Sequence, residues 1–355
     1  MTLPFTSNAN GPLENPFERS VAEHWPPSRW LETTVLVAVS GGADSIALLR
    51  ALVNIAHQLQ SKPLKHLVIA HYNHQLRGEE SAGDEQFVRE IAAQLQLPVA
   101  VGRTASGHDP SLPNAPQRAS EESWREQRYR FFREVAHQHG ARYVALAHSA
   151  DDHVETVLYR IARGTGISGL AGIPRYRALS PATTIVRPLL HISRPQILAY
   201  LTLLGQSHRE DRSNQSLRYA RNRIRQKLIP WLTRALNSQV SAAVGRLSEH
   251  AAESRVIVDY FCDQELERLL QSPSSPTLVR LHGEVLVQAP AAVLRALLVR
   301  IWQRQDWPLQ AMSDPQWRRL AEFLRSPEFS VSAELALPAG IRARRLSARE
   351  AILTR

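Results

Sequence analysis

Between residues 33 and 204 short β-branched runs alternate with amphipathic stretches, and this alternation constrains the fold more than any other feature. An apolar run over 33–39 ends in Ser-Gly-Gly, and Ile46, Leu49, Val53 and Ala56 follow at helical spacing. The same reading predicts strands over 66–72, 99–103, 143–147 and 184–186, with helices over 81–95, 120–139, 151–163 and 193–204. Such alternation implies an α/β fold, a doubly wound, Rossmann-like parallel sheet with helices on both faces. Ligands of these sheets bind in the crevice at the carboxyl ends of the strands. A Gly-rich loop over 164–172 reads equally as a mobile cover or a passive connector. The segment 219–236 reads as one helix with Ile224, Leu228, Trp231, Leu232 and Ala235 on a stripe. Beyond it the pattern changes to amphipathic helices, with strands near 278–288 and 329–337. The expected organisation is a flexible tail over 1–28, a ligand-binding domain over 29–236 and a smaller C-terminal α+β domain over 238–355.

Forty-three Lys and Arg against 33 Asp and Glu leave a formal net charge of +10, which calls for a phosphate-rich partner. Only Lys62, Lys65 and Lys227 are lysines. Arginine suits bidentate phosphate contacts, although a codon bias explains the excess equally well. Cys262 is the sole cysteine, excluding an intrachain disulfide, a Cys-type zinc cluster, an iron–sulfur site and a two-thiol relay. A reducing cytoplasm fits. The first 30 residues carry five prolines and no signal-peptide pattern, and no apolar run could span a membrane.

Ser40-Gly41-Gly42-Ala43-Asp44-Ser45 lies between the first strand and the first helix. Two glycines let the backbone turn tightly and aim its N–H groups inward, where the helix N-terminus adds positive potential. Ser40 and Ser45 can donate to phosphate oxygens, and Asp44 can hold a magnesium ion. This is not the lysine-containing phosphate loop, since no lysine is present. A plain Ser/Asp-capped turn is the competing reading.

With its apolar helix, this turn resembles the pyrophosphate-loop (PP-loop) ATPases, which cleave ATP to AMP and pyrophosphate to adenylate a carbonyl oxygen. Further segments narrow the likeness: His71-Tyr-Asn-His74-Gln-Leu-Arg77, Trp124-Arg125-Glu-Gln-Arg128-Tyr129, Ala147-His148-Ser-Ala-Asp151-Asp152-His-Val-Glu155-Thr156, Arg163-Gly-Thr-Gly166, Arg187-Pro-Leu-Leu190, Asp211-Arg-Ser-Asn214 and Arg221-Asn222-Arg-Ile-Arg225. Together they resemble the tRNA(Ile)-lysidine synthetase family, in order from about residue 33 to 230. The resemblance implies a PP-loop adenylating domain and a ligase using ATP and Mg2+. It would join L-lysine to C2 of the wobble cytidine in the CAU anticodon of tRNA(Ile), changing identity from Met to Ile. A C-terminal tRNA-binding domain is also implied, and a homodimer is left open.

The resemblance assigns residues as follows. Ser40, Gly41, Gly42, Ala43, Asp44, Ser45, His71, Arg125 and Arg221 would bind the nucleotide. Asp44 and Asp152 would hold Mg2+, while Asp44, Asp152, Glu155 and His148 would serve catalysis. Arg128, Arg163, Arg218, Asn222 and Arg225 would contact tRNA. Spacing alone leaves blander readings open: Asp151 and Asp152 as helix-start carboxylates, Arg125 and Arg128 as partners of Glu121, Glu122 and Glu126, and the seven bases between Arg209 and Lys227 as a solvated face. The His71-x-x-His74 pair lacks an evident third metal ligand. Asn73 stands where the family often has an acid, and Trp124 where it usually has alanine. The rivals are a tRNA thiolase, which one cysteine disfavours, and a noncatalytic RNA-binding module, which needs no inward-facing carboxylates.

Overall fold

Val35, Leu36 and Val37 are completely buried although they point to alternate faces, which requires a sheet covered on both sides. They belong to β1 (Val35–Ala38), near the centre of a six-stranded sheet completed by β2 (Leu67–Asn73), β3 (Val99–Arg103), β4 (Tyr143–Ala145), β5 (Tyr176–Ala178) and β6 (Thr184–Val186). The strand order is β3-β2-β1-β4-β6-β5, and only the β5–β6 pair is antiparallel. Val37 pairs with Ile69 on one side and Ala145 on the other. The order therefore reverses at β1, and the crevice opens at its carboxyl end. The structure, a computed structural model, describes residues 13–59, 64, 66–75, 78–104, 121–210, 217, 220–270, 275, 277–325 and 333–355.

The helices of this unit are α1 (Pro16–His24), α2 (Ala43–Leu59), α3 (Glu79–Gln94), α4 (Glu121–Gln138), α5 (Ala150–Ala162), α6 (Ile167–Leu170) and α7 (Arg194–Leu203). Val35 and Val37 share a core with Ile46 and Leu49 of α2, Val88 of α3 and Ile197 of α7. On the other face, Leu36, Val68 and Ile185 pack on Phe132 and Val135 of α4. The alternation read from the sequence is thus the sheet that forms.

Three local expectations are filled in or corrected by the structure. Residues from 13 to 28 are not a loose tail. Asn15 caps α1 by accepting from Phe17 N at 2.8 Å, Pro16 starts the helix, and Val21, Trp25 and Trp30 are buried. The prolines that suggested looseness are pre-set for a helix start and a tight turn. Second, the Gly-rich loop contains α6, and Arg160 Nη1 donates to Gly169 O at 3.0 Å and Gly172 O at 2.7 Å. Third, the single helix expected over 219–236 is α8 (Ala220–Arg223), a π-helical stretch Ile224–Leu228 and α9 (Ile229–Ala235). Pro230 has no N–H for the usual bond four residues back, and Ile229 N–H reaches five back to Ile224 O. The re-phased stripe leaves Leu228 and Trp231 exposed.

The chain divides into two compact units, Met1–Glu249 and His250–Arg355, within α10 (Val240–Leu269). This division lies beyond the expected one near residue 237, because the helix runs on through it. The second unit adds β7 (Leu278–His282), α11 (Val285–Gln288), α12 (Ala291–Arg304), α13 (Asp314–Arg325), β8 (Glu334–Ala336), β9 (Arg342–Ser347) and β10 (Glu350–Thr354). Its antiparallel sheet has the order β7-β10-β9-β8, and Leu281, Ala343 and Leu353 pack on Leu294, Leu298, Trp302 and Leu320. This is the α+β arrangement expected of the C-terminal part. The strand expected near 278–288 stops at His282, where α11 takes over. No helix among the described residues is long and apolar enough to cross a membrane.

Candidate active site

β1 ends at Ala38 and α2 begins at Ala43, so residues 39–42 make the whole connection at the crevice. Gly41 has φ +93°, a left-handed conformation that favours glycine. Ser45 Oγ donates to Gly42 O at 2.8 Å and accepts from Ser40 N at 3.2 Å; Ser40 Oγ accepts from Gly42 N at 3.4 Å. The two hydroxyls thus close the turn on itself, and Ser40 remains on its exposed rim. The chain near Arg209 runs beside the turn, donating from Arg209 N to Gly41 O at 2.9 Å.

Three carboxylates come together below the turn, each held by a guanidinium. Arg194 Nη1 is 2.5 Å from Asp44 Oδ1, and Arg194 N donates to Asp151 Oδ2 at 2.7 Å, so the start of α7 ties α2 to α5. Asp152 completes a capping box at the start of α5, its Oδ2 accepting from Ser149 N at 3.0 Å. The helix-start reading therefore describes one Asp152 oxygen, while Oδ1 turns to Arg225 Nη2 at 3.2 Å. Glu155, one turn on, is buried and takes Arg225 on both oxygens. Burial pushes the Asp44 and Glu155 carboxyls above the ordinary range, against the pull of their arginines. The neighbouring Asp152 charge adds to both shifts.

Two histidines toward the carboxyl ends of β2 and β4 are neutral rings. His71 Nδ1–H donates to Val39 O at 2.8 Å, and its buried Nε2 has no protein partner. Burial lowers its pKa, so Nε2 is a free acceptor. His148, past the end of β4, accepts from Arg187 Nε on Nδ1 at 3.3 Å, which leaves the proton on Nε2. Its burial pushes the pKa down to about 3. His74 shares no metal site with His71: no group of three His, Cys, Asp or Glu among the described residues could hold a metal. Asn73 instead donates to Ser81 O at 3.0 Å and Glu85 Oε2 at 3.3 Å.

The arginines divide into engaged and presented groups. Arg225 is turned inward onto carboxylates rather than lying along an open stripe, and Arg221 Nη2 donates to Thr156 Oγ1 at 3.0 Å. Asn222 is buried beside them. Arg125 and Arg128 gather at the ring of Tyr129, with Cζ 5.1 and 6.0 Å from its centre. Arg163 stacks on Tyr159 at 5.5 Å on the exposed end of α5. Arg218, Arg77 and the segment 211–214 lie outside the described residues. Sequence reasoning left Arg177, Arg187 and Arg194 without a role. Arg187 stood in a quoted motif, whereas the Arg194–Asp44 contact spans 150 residues and leaves no local signal.

Residues 13–232 match the PP-loop domain family. The tRNA(Ile)-lysidine synthase of Rhodopirellula baltica is 35% identical over 352 residues, covering 90% of this chain and 86% of that protein. The tRNA(Ile)-lysidine synthase of Geobacter sulfurreducens is 40% identical over 235 residues, which is 66% of this chain and 47% of that protein. A U34-tRNA thiolase structure from Methanococcus maripaludis, 15% identical, superposes with a TM-score of 0.52 over 66% of this chain and 78% of its own, a likeness of fold. The PP-loop match, together with a relative aligned along nearly its whole length, makes this chain a member of the tRNA(Ile)-lysidine synthase family.

Proposed function

We propose that this ligase uses ATP to join the ε-amine of L-lysine to C2 of the wobble cytidine in the CAU anticodon of tRNA(Ile). The cytosine C2 oxygen attacks the α-phosphorus of ATP and pyrophosphate leaves, turning a very poor leaving group into a phosphate ester. The lysine nitrogen then bonds to C2, AMP departs with the oxygen, and the amine gives up a proton. The product changes the tRNA's codon and amino-acid identity from Met to Ile. The observation that carries the reading is a glycine turn at the end of β1 beside three arginine-held carboxylates, with neutral His71 and His148 at neighbouring strand ends.

The turn from Ser40 to Ser45 would hold the polyphosphate with backbone N–H groups and the Ser40 hydroxyl. The Asp152 charge adds to the upward shift of the Asp44 carboxyl, a proximity that suits a divalent cation between them. Two carboxylates fit Mg2+ only when phosphate oxygens and water complete its shell, so these residues would hold it together with the nucleotide; it would neutralise phosphate charge. The amine, with a solution pKa near ~10.4, must lose a proton to react. Glu155, made more basic by burial, would accept that proton, with Asp152 orienting the ammonium. His148 would donate from Nε2 to a nucleotide oxygen, and Arg187 fixes the tautomer that allows it.

Arg221 would contact nucleotide phosphate, Arg128, Arg163 and Arg218 the tRNA, and the second unit the tRNA body, whereas Arg225 is held by Asp152 and Glu155 and Asn222 is buried. A cytoplasmic location and a homodimer belong to the same proposal; the part of the expected tail over 1–12 lies outside the described residues. Arg342 and Arg344 are exposed on β9 and suit such a contact, whereas Arg345 is buried. The test is lysidine formation on a tRNA(Ile) transcript with ATP, Mg2+ and lysine. Wild type is expected to form it and Asp152→Asn to lose it; equal activity of the two would overturn the assignment.

A further inference from the structure

Tyr129 is buried on α4, and three guanidinium carbons surround its ring: Arg177 at 4.6 Å, Arg125 at 5.1 Å and Arg128 at 6.0 Å from the centre. A fourth, Arg187, is buried beside them, donating to Pro174 O at 2.6 Å and to His148 Nδ1 at 3.3 Å. No ion pair among the described side chains reaches Arg177 or Arg187. Like charges gathered this closely repel, and stacking on one aromatic face offsets only part of that cost. An anion against the group would relieve that repulsion. Arg125 also donates from Nη2 to the Tyr129 hydroxyl at 3.5 Å, and Arg125 and Arg177 are both exposed, so further N–H groups of their guanidiniums can reach a ligand.

We infer that this arginine cage on Tyr129 is a second phosphate subsite, separate from the phosphate turn, and that it takes a phosphodiester of the tRNA beside the modified cytidine. The inference rests on the function proposed above and moves Arg125 from the nucleotide to the RNA. Two observations favour RNA over the nucleotide. Arg177 lies on β5, three strand spacings, about 14 Å, from the β1 end where the phosphate turn sits. The cage is also joined to the crevice through the Arg187–His148 bond. A nucleobase entering the crevice carries its flanking phosphates to the side, and the Arg187–His148 bond sets the cage beside the crevice. Sequence gave no hint of Arg177, because its strand reads as part of a loop.

The test is Arg177→Ala, an exposed substitution on an edge strand, measured with an unmodified tRNA(Ile) transcript and separately with ATP. Binding of tRNA is expected to weaken about tenfold, and the slope of log K against log salt to fall by about one over roughly 50–200 mM, while ATP affinity stays the same. Arg177→Lys is expected to restore the slope and only part of the affinity, since an ammonium keeps charge without the planar fork. Unchanged tRNA affinity and slope would overturn the subsite. Equal losses for ATP and tRNA would reassign it to the nucleotide and also overturn the inference. Lysidine formation by wild type in the same preparation keeps the two claims apart: its absence counts against the proposed function, and a normal Arg177→Ala slope counts against the cage alone.

Discussion

Arg225 closes on Glu155 with two N–H groups, Nη2 standing 3.1 Å from Oε2 while Nε reaches Oε1. A cation therefore already occupies the buried carboxylate that the proposed reaction needs for the lysine amine, and the incoming ammonium must displace it. Arg225→Gln leaves Glu155 buried without its guanidinium and is expected to cost about 2 kcal/mol in urea unfolding. The double substitution with Glu155→Gln is expected to recover part of that loss, because both charged partners are gone. Strictly additive losses would show that the pair contributes no coupling.

Asp152 separates a structural from a chemical role, one oxygen serving the α5 capping box and the other facing Arg225. Asp152→Asn keeps an accepting oxygen for Ser149 N and is expected to hold stability while AMP formation falls at least a hundredfold. Asp152→Ala loses the cap as well, at a cost of about 1 kcal/mol. Equal stability of the two variants would contradict the capping-box role.

The phosphate turn makes a sharper distinction between its two glycines. At Gly41 an added Cβ would meet only ordinary contacts, the nearest being Arg209 Cγ at 3.5 Å, but the φ of +93° is strained for any L side chain. Gly41→Ala is expected to destabilise by about 1–2 kcal/mol. Gly42 carries no such φ, and its added Cβ would stand 3.6 Å from Ser40 Oγ. Gly42→Ala is therefore expected to keep stability, as thermal unfolding of both variants would show; the reverse order would contradict the turn geometry.

Glu85 predicts an acid limb in stability. Arg103's guanidinium, opposed by burial and helped by Arg89 and Asn73, holds its carboxyl down to about 2 from an ordinary 4.5. A depressed carboxyl contributes stability that is full above its unfolded value and lost as pH falls toward its folded value. Urea midpoints are expected to drop between about pH 4.5 and 2, and Glu85→Gln to flatten that drop. An identical slope in the variant would show that the cluster carries none of it.

The sheet was legible in the sequence because each parallel strand, buried on both faces, must be a continuous apolar run, as residues 33–39 are. Asp152 and Glu155 were legible because one helix brings them together. Trp25 was not, since its burial depends on partners such as Tyr143 far along the chain. The same holds for Arg194 on Asp44 and Arg177 on Tyr129, contacts made between separate elements. The π-helical stretch had a local cause, Pro230, but its consequence for Arg225 needed coordinates, because a shift of one residue re-aims every side chain in the turn.

The central claim is that this crevice activates a base carbonyl by adenylation and then exchanges it for lysine. The most direct measurement is AMP released per modified cytidine, read by nucleotide analysis and mass spectrometry of the digested tRNA. With tRNA(Ile), ATP, Mg2+ and lysine present, AMP is expected in step with lysidine, and neither without the tRNA. AMP formation independent of tRNA, or none with all four present, would contradict it.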